Sequence, residues 1–525
     1  MKARIQVVAC KCCTEMPQLL DMDSVMNVAS GMELVVSSML VDRVCDSKNI
    51  KHIVNEAKDR EVDRVLVLAC HKKDVSPGLL AAYKKAGVNE FLVEYVDLRD
   101  EVVLPHMNDR KRAQTKAETK AVAGLERLLM LKPLEKAEES MRTRNVVILG
   151  GGASGQRAAE VAAAEGAHTI IIEKSGRSHK TPGVIMPNSE LLGAKGYGGN
   201  FVLTIRAGEV VEELECAAIV VATGGGWTEL KGPLAKACKS AVPLYRLQEQ
   251  LRDGTAPNGP VIIVDTPDPA GKTLAVQDFA WDEALELAVE LKKRQPDGDV
   301  YIVFQEMRAF GLSELVYKDA AERGVRFVRY DRTAGPKIDP KEPTKLTVKD
   351  LAQGEFVTIP IGTLAFAAIP ANKDNATIAT ALRIPMSAEG GVRRGSIQRW
   401  PVTTPRPGVF VCGSAMFPKS KDMAEAEGEA AGLMAARFAS KGVVEYGGVV
   451  AEVAQEKCSA CLTCVRTCPY DAPFIGNASK AEIRTQACQG CGMCVGICPS
   501  KAIELRGFTD DQIAQETRTM LGGDF

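Results

Sequence analysis

No stretch of the 525-residue chain approaches the roughly eighteen uninterrupted apolar residues that a membrane helix requires. The opening residues, MKARIQVVAC, also lack the apolar core of a signal peptide. These absences predict a cytoplasmic protein with no transmembrane segment, at most a peripheral member of a larger assembly. Net charge is missing too. With 66 basic against 67 acidic side chains the formal charge is -1, so no nucleic-acid partner is expected. Disulfides are not expected: eight of the sixteen cysteines sit in cluster spacing and the chain is large and unsecreted, so thiolates for metal in a reducing cytosol are the better reading. The 46 % hydrophobic and 25 % charged content is that of a globular protein, and the length suggests roughly three domains.

Half of the cysteines fall into one repeated pattern. Cys458, Cys461, Cys464 and Cys468, then Cys488, Cys491, Cys494 and Cys498, each read C-x-x-C-x-x-C-x-x-x-C-P, ending in Pro469 and Pro499. This is the spacing of a two-cluster bacterial ferredoxin, in which the fourth cysteine of each run serves the other cluster. It predicts one [4Fe-4S] cluster on Cys458, Cys461, Cys464 and Cys498, and another on Cys488, Cys491, Cys494 and Cys468. Structural zinc is the alternative, but zinc ligands come as two C-x-x-C pairs across a longer loop.

Residues 144–149 (RNVVIL) form an apolar, β-branched run that meets Gly150-Gly151-Gly152-Ala153-Ser154-Gly155, a G-x-G-x-x-G opening an Ala-rich helix. A second strand, His168 to Ile172, ends in Glu173, with Lys174 beside it. In this context Gly150 permits the tight turn, Gly152 lets a pyrophosphate approach the helix N-terminus at Ala153 and Ser154, and Gly155 allows close packing. Glu173 can bond ribose hydroxyls, and Lys174 completes the set. Two later segments favour FAD over NAD. Ala222-Thr223-Gly224 follows the strand 218–221, and Gly413-Ser414 follows the strand in Gly408 to Cys412, where such flavoproteins place a glycine beside the ribityl chain. Asp is usual where Ser414 stands. Glu425 to Phe438 reads as a helix whose N-terminal end could face the flavin ring.

A second such fingerprint is absent. The strand 261–264 and the helix 281–294 are joined by Asp265-Thr266-Pro267-Asp268-Pro269-Ala270-Gly271, in which prolines remove N–H donors and aspartates repel a pyrophosphate. NAD(P)H is therefore not the expected donor. Nor is there a paired redox disulfide, because Cys216, Cys238 and Cys412 are isolated and read as small buried hydrophobes.

Cys10, Cys12 and Cys13, Cys45 and Cys70 follow three separate apolar runs, and the ends of neighbouring parallel strands share one sheet edge. Four of them would suffice for a cluster; spacing alone leaves scattered structural thiols equally open. The segments Ala9-Cys10-Lys11-Cys12, Val44-Cys45-Asp46-Ser47 and Leu68-Ala69-Cys70-His71 resemble the N-terminal domain of HdrA, the iron-sulfur flavoprotein of heterodisulfide reductase. The resemblance continues through residues 196–201 (GYGGNF), 308–311 (RAFG), 401–404 (PVTT) and Pro418-Lys419 to the ferredoxin tail, nearly the whole chain. It implies a third [4Fe-4S] cluster on Cys10, Cys12, Cys45 and Cys70, with Cys13 a spare thiol or competitor. It also implies a lysine near the flavin, Lys419, with Lys421 its rival. By resemblance the partners are heterodisulfide reductase B- and C-like subunits and an iron-sulfur adaptor to a hydrogenase or formate dehydrogenase, in a complex that can contain this chain as a homodimer.

Family members carry Cys-rich segments and an inserted ferredoxin that this chain lacks, so three clusters remain expected, and electron bifurcation, associated with the family, loses one plausible exit. The expected fold is α/β: a doubly wound, thioredoxin reductase-like two-dinucleotide-domain flavoprotein with an N-terminal α/β cluster domain and a C-terminal two-cluster ferredoxin. The boundaries read 1–105, a helical linker 106–142, the FAD-binding domain 143–445 with a second lobe at about 245–365, and the ferredoxin 446–525, its tail a polar docking arm. The rivals are an NAD(P)H-dependent enzyme resembling the glutamate synthase small subunit and a non-catalytic cluster scaffold.

Overall fold

The strand Ile5–Cys10 is buried at every position, which an apolar β-branched run tolerates only with a neighbour on each side and helices on both faces. The computed structural model supplies them, in the order Val35–Val41, Ile5–Cys10, Arg64–Ala69, Val93–Asp97, all parallel. It describes residues 2–522 apart from 12–15, 177–180, 225–231, 239–240, 256, 258, 266–276, 367–372, 389, 396–400, 418 and 420. Contacts divide the chain into two units, one of Met1–Glu139 with Glu445–Phe525 and one of Ser140–Val444.

In the first unit the expected linker is a helix only over Arg110–Met130, and residues Lys136–Ser140 are a strand. Ala113, Ala117, Ala121, Leu125 and Leu128 recur at helical spacing and are buried in the core beneath the sheet, so this helix is part of the domain. The ferredoxin segment forms two antiparallel ribbons, Ala451–Val453 with Ile503–Leu505 and Pro473–Ile475 with Ala481–Ile483. Its tail is the helix Asp510–Leu521, started by a capping box between Thr509 and Gln512. That helix lies on Arg110–Met130: Gln512 Nε2 donates to Met130 O at 3.1 Å, and Gln515 Nε2 to Glu126 at 3.0 Å. The docking arm is thus docked on its own chain.

The second unit contains the same architecture twice. Its first lobe is a parallel sheet ordered Val409–Val411, Ala218–Val221, Asn145–Leu149, His168–Ile172, Val184–Met186, with the antiparallel trio Ser189–Tyr197, Asn200–Ala207 and Val210–Cys216. The second lobe is ordered Ala241–Pro243, Thr363–Phe366, Val261–Val264, Val300–Phe304, Arg326–Arg329, again parallel, with the trio Lys337–Ile338, Lys345–Lys349 and Phe356–Pro360. This is the doubly wound, two-dinucleotide-domain plan expected from the sequence. The fingerprint helix Ala153–Ala164 packs on the helix Lys421–Ser440, where Gly428 and Gly432 admit the backbones of Ser154 and Ala158. Among the described residues no helix is long and apolar enough to cross a membrane.

Candidate nucleotide cleft and cysteine sites

The turn after Asn145–Leu149 opens a cleft of about 540 Å³ in the first lobe. Gly150 has φ +107°, and a Cβ there would lie 2.5 Å from the Ala222 carbonyl oxygen; a Cβ on Gly155 would lie 1.9 Å from that of Gly150. Gly152, at the N-cap, has nothing within 4 Å of a built Cβ. The first and third glycines therefore let backbones meet, and the second leaves the approach to the helix N-terminus open. These residues fit the pyrophosphate of a dinucleotide. Ala153, Ser154, Glu173, Lys174, Ala222, Thr223, Gly224, Ser414, Lys419 and Lys421 share the same lining. Gly155 and Gly413 stand behind it, a Cβ on Gly413 lying 2.6 Å from Ser154 Oγ.

Glu173 ends its strand at the mouth, where Oε2 accepts from Gly151 N at 2.6 Å and Oε1 from Ser175 N at 2.8 Å. Lys174 Nζ bonds Asp374 Oδ1 at 2.8 Å, which raises its pKa. Lys419 is 4 % exposed and paired with Glu427, whose Oε2 also accepts from Gly413 N at 2.9 Å. Burial lowers the lysine's pKa against the opposing pull of Glu427. Its ammonium also lies 3.9 Å from the Phe417 ring centroid. Lys421, by contrast, is largely exposed and 3.5 Å from Glu425. Pro418 and Ser420 lie outside the described residues, as do Gly225 and Gly226.

The ferredoxin cysteines gather in two crossed sets. One cavity is walled by Cys458, Cys461, Cys464 and Cys498, the other by Cys488, Cys491, Cys494 and Cys468. Among the described residues no group of three or more His, Cys, Asp or Glu side chains is placed to hold a single metal ion. Four thiols around one cavity are the donor set a [4Fe-4S] cluster uses. Backbone N–H groups of Ala481 and Ala502 donate to the sulfurs of Cys458 and Cys498 at 3.4 and 3.3 Å. Burial, then the neighbouring thiols, pushes Cys494 up to about 11, and burial raises Cys464, whereas the Thr463 hydroxyl lowers Cys461.

At the sheet edge of the same unit, Cys10 closes its strand, Cys70 follows Arg64–Ala69, and Cys45 precedes the helix Ser47–Asp59, capped by Asp46. Two neighbouring strand ends and the turn that follows Val35–Val41 thus carry one cysteine each. Cys10 is buried, its Sγ 3.7 Å from Asp42 O, while Cys45 is exposed. Cys12 and Cys13 lie outside the described residues.

A family model described as a 4Fe-4S dicluster domain matches residues 452–499. An HdrA-type iron-sulfur subunit of the CoB–CoM heterodisulfide reductase of Methanopyrus kandleri is 24 % identical over 598 aligned positions, spanning 89 % of this chain and 90 % of its own. A protein of Archaeoglobus profundus, described as similar to the same component of heterodisulfide reductase, is 24 % identical over 688 positions, 98 % of each chain. The chain is a homologue of HdrA. It is an oxidoreductase component, an electron-transfer subunit with a ferredoxin-type cluster domain. Among solved structures, thioredoxin reductase of T. acidophilum aligns at 16 % identity with a TM-score of 0.39, over 56 % of this chain and 98 % of that one.

Two residues of this HdrA homologue escape a reading by motif. Asn375, 1 % exposed, receives the Thr223 hydroxyl at 2.8 Å and donates to Ala415 O at 3.0 Å and Gly390 O at 3.2 Å, fastening two cleft loops together. Glu427, from the helix beyond the cleft, is the other. Cys216, Cys238 and Cys412 are buried, and burial raises the thiol pKa of Cys216 and Cys412, the latter to about 12. In the second lobe Asp265 accepts from Tyr330 Oη at 2.8 Å and Gln305 N at 3.0 Å, while residues 266–276 lie outside the described set.

Proposed function

We propose that this chain is an iron-sulfur flavoprotein relay: electrons enter and leave through partner subunits, the ferredoxin cysteines hold two [4Fe-4S] clusters, and the glycine cleft holds FAD. A third cluster is assigned to Cys10, Cys12, Cys45 and Cys70. The observation that carries the reading is the crossed grouping of eight cysteines around two cavities in a chain that also builds an open glycine cleft. FAD, when bound, exchanges electrons singly or in pairs and so joins one-electron carriers to two-electron chemistry. Gly152, Ala153 and Ser154 receive its pyrophosphate, Glu173 its ribose, and the buried Lys419 places positive charge at the cleft wall, steadied by Glu427. Ser414 would line the ribityl path, with Gly413 behind it.

The relatives' names support a reading in which the chain works within a larger heterodisulfide reductase complex. One relative, 24 % identical, is the HdrA component of an H2:CoB–CoM heterodisulfide,ferredoxin reductase from Methanothermobacter thermautotrophicus, and another is the H2/formate-dependent counterpart of Methanococcus maripaludis, 23 % identical. We assign heterodisulfide reductase B- and C-like subunits and an iron-sulfur adaptor from a hydrogenase or formate dehydrogenase as the neighbours of this chain, in the cytoplasm. Anaerobic purification with iron, sulfide and flavin analysis tests the whole. The expected result is about twelve Fe and one FAD per chain, from three four-iron clusters. About eight Fe would remove the N-terminal cluster, and rapid flavin bleaching by NADH would overturn the choice of donor.

A further inference from the structure

The two ferredoxin sites derive from one duplicated segment, each residue standing thirty positions from its counterpart. The backbone repeats closely. Left-handed φ values at Ala460 (55°), Leu462 (64°) and Asp471 (60°) recur at Gly490 (63°), Gly492 (72°) and Lys501 (45°). With matching loops, a difference between the sites must arise from side chains.

Three wall positions differ in kind. Around Cys458, Cys461, Cys464 and Cys498 they are Ser459, Thr463 and Ser500. Around the other quartet their counterparts are Gln489, Met493 and Tyr470. Thr463 Oγ1 lies 3.3 Å from Cys461 Sγ, and Ser500 Oγ lies 4.0 Å from Cys498 Sγ and 3.3 Å from Ser459 Oγ. A thiolate or cluster sulfur has no proton, so the hydroxyl must be the donor. Met493 has no donor, Gln489 turns its amide to Ala487 O at 3.4 Å, and Tyr470 carries its hydroxyl at the far end of a ring.

Charge follows the same division. Lys480 bonds the Cys458 carbonyl oxygen, where the duplicate has Val450, and Lys501 beside Ser500 corresponds to Asp471 beside Tyr470. Two counterparts act the other way: Glu456 replaces Gln486, and Arg484 lies 4.0 Å from Asp471 and partly offsets it. The balance still leaves more hydroxyl donors and more positive charge at the first site. Reduction adds one negative charge to a cluster, and donors to its sulfurs and nearby cations stabilise that charge.

We propose that the two sites are unequal in potential, and that the cluster on Cys458, Cys461, Cys464 and Cys498 accepts an electron before its duplicate does. This rests on the cluster reading above. Within the module, one electron leaves the cluster on Cys468, Cys488, Cys491 and Cys494, and one enters its neighbour; no bond or proton moves. Thr463 and Ser500 tune the acceptor.

A redox titration of the full, anaerobically prepared chain, followed by electron paramagnetic resonance with iron and sulfide assayed on the same sample, tests this. Two module steps should differ by at least tenfold in the one-electron equilibrium, about 59 mV. Thr463→Met should bring the upper step down and Met493→Thr should bring the lower step up, each leaving its partner in place. Coincident steps, or Thr463→Met acting on the lower step, would overturn the ordering. Iron and sulfide below two cubanes would instead sink the cluster assignment, and the ordering with it.

Discussion

Arg127 and Glu94 form an ion pair inside the first unit, with the arginine side chain 6 % and the glutamate side chain 18 % exposed. The same guanidinium donates to Gly507 O at 2.9 Å, approaches Glu516 at 3.5 Å and stacks over Phe508 at 4.6 Å. One side chain from the helix Arg110–Met130 therefore bonds both the N-terminal sheet and the ferredoxin tail. Arg127→Ala should destabilise this unit by about 3 kcal/mol, because it removes a buried guanidinium that bonds Glu94 and Gly507 at once. Thermal unfolding reads the loss, and limited proteolysis should cut the helix Asp510–Leu521 first.

Ala460 and Gly490 occupy equivalent left-handed positions, yet they are not exchangeable. A Cβ on Gly490 would lie 2.5 Å from the Val449 carbonyl oxygen, an immovable backbone atom. Gly490→Ala should cost one cluster, seen as the loss of about four Fe per chain. Ala460→Gly should retain full iron and can gain up to about 1 kcal/mol by relieving φ 55°.

Asn375→Ala removes the tie between the Thr223 loop and Ala415. The buried Ala415 carbonyl and the partly buried Gly390 carbonyl lose their donor, a cost of about 1–3 kcal/mol. Flavin affinity, followed by fluorescence titration, should weaken roughly tenfold to a hundredfold, since 1.4 kcal/mol is a factor of about ten. Thr223→Val, which removes one hydroxyl and leaves the other two bonds, should weaken it less.

Lys419 binds its proton more weakly in the fold than its ordinary value of 10.5, chiefly because it is buried. Between the lowered value and 10.5 the unfolded chain holds a proton that the folded chain has released, so stability should climb with pH across that alkaline window and be least below it. Melting temperature against pH should show this slope in the wild type. Lys419→Met should abolish it, and Glu427→Gln, by removing the carboxylate that supports the charge, should widen it toward lower pH.

What was legible in the sequence was what lies close along the chain. The cysteine quartets, the Gly150 turn and the strand ending at Glu173 are local spacings, and the duplicated ferredoxin motif even implied which fourth cysteine crosses over. Asn375 was not legible, because its partner Thr223 is 152 positions away and no local pattern marks a buried amide. Arg127 bonds a residue 380 positions away, so by sequence alone the charged Ala- and Leu-rich stretch around it reads as a linker. Its alanines Ala113, Ala117 and Ala121, four apart and continued by Leu125 and Leu128, carry the signal of a packed face; its surface charges obscure it.

The first unit is assembled from the two extremities of the polypeptide, with Ser140–Val444 inserted between them. During synthesis the helix Arg110–Met130 must wait for Gln512 and Gly507 to be made, some tens of seconds at roughly 5–20 residues per second. The intervening unit can fold meanwhile, leaving the alanine helix with one flank uncovered. Nascent chains halted before the ferredoxin should therefore be the species that chaperones retain and proteases clear.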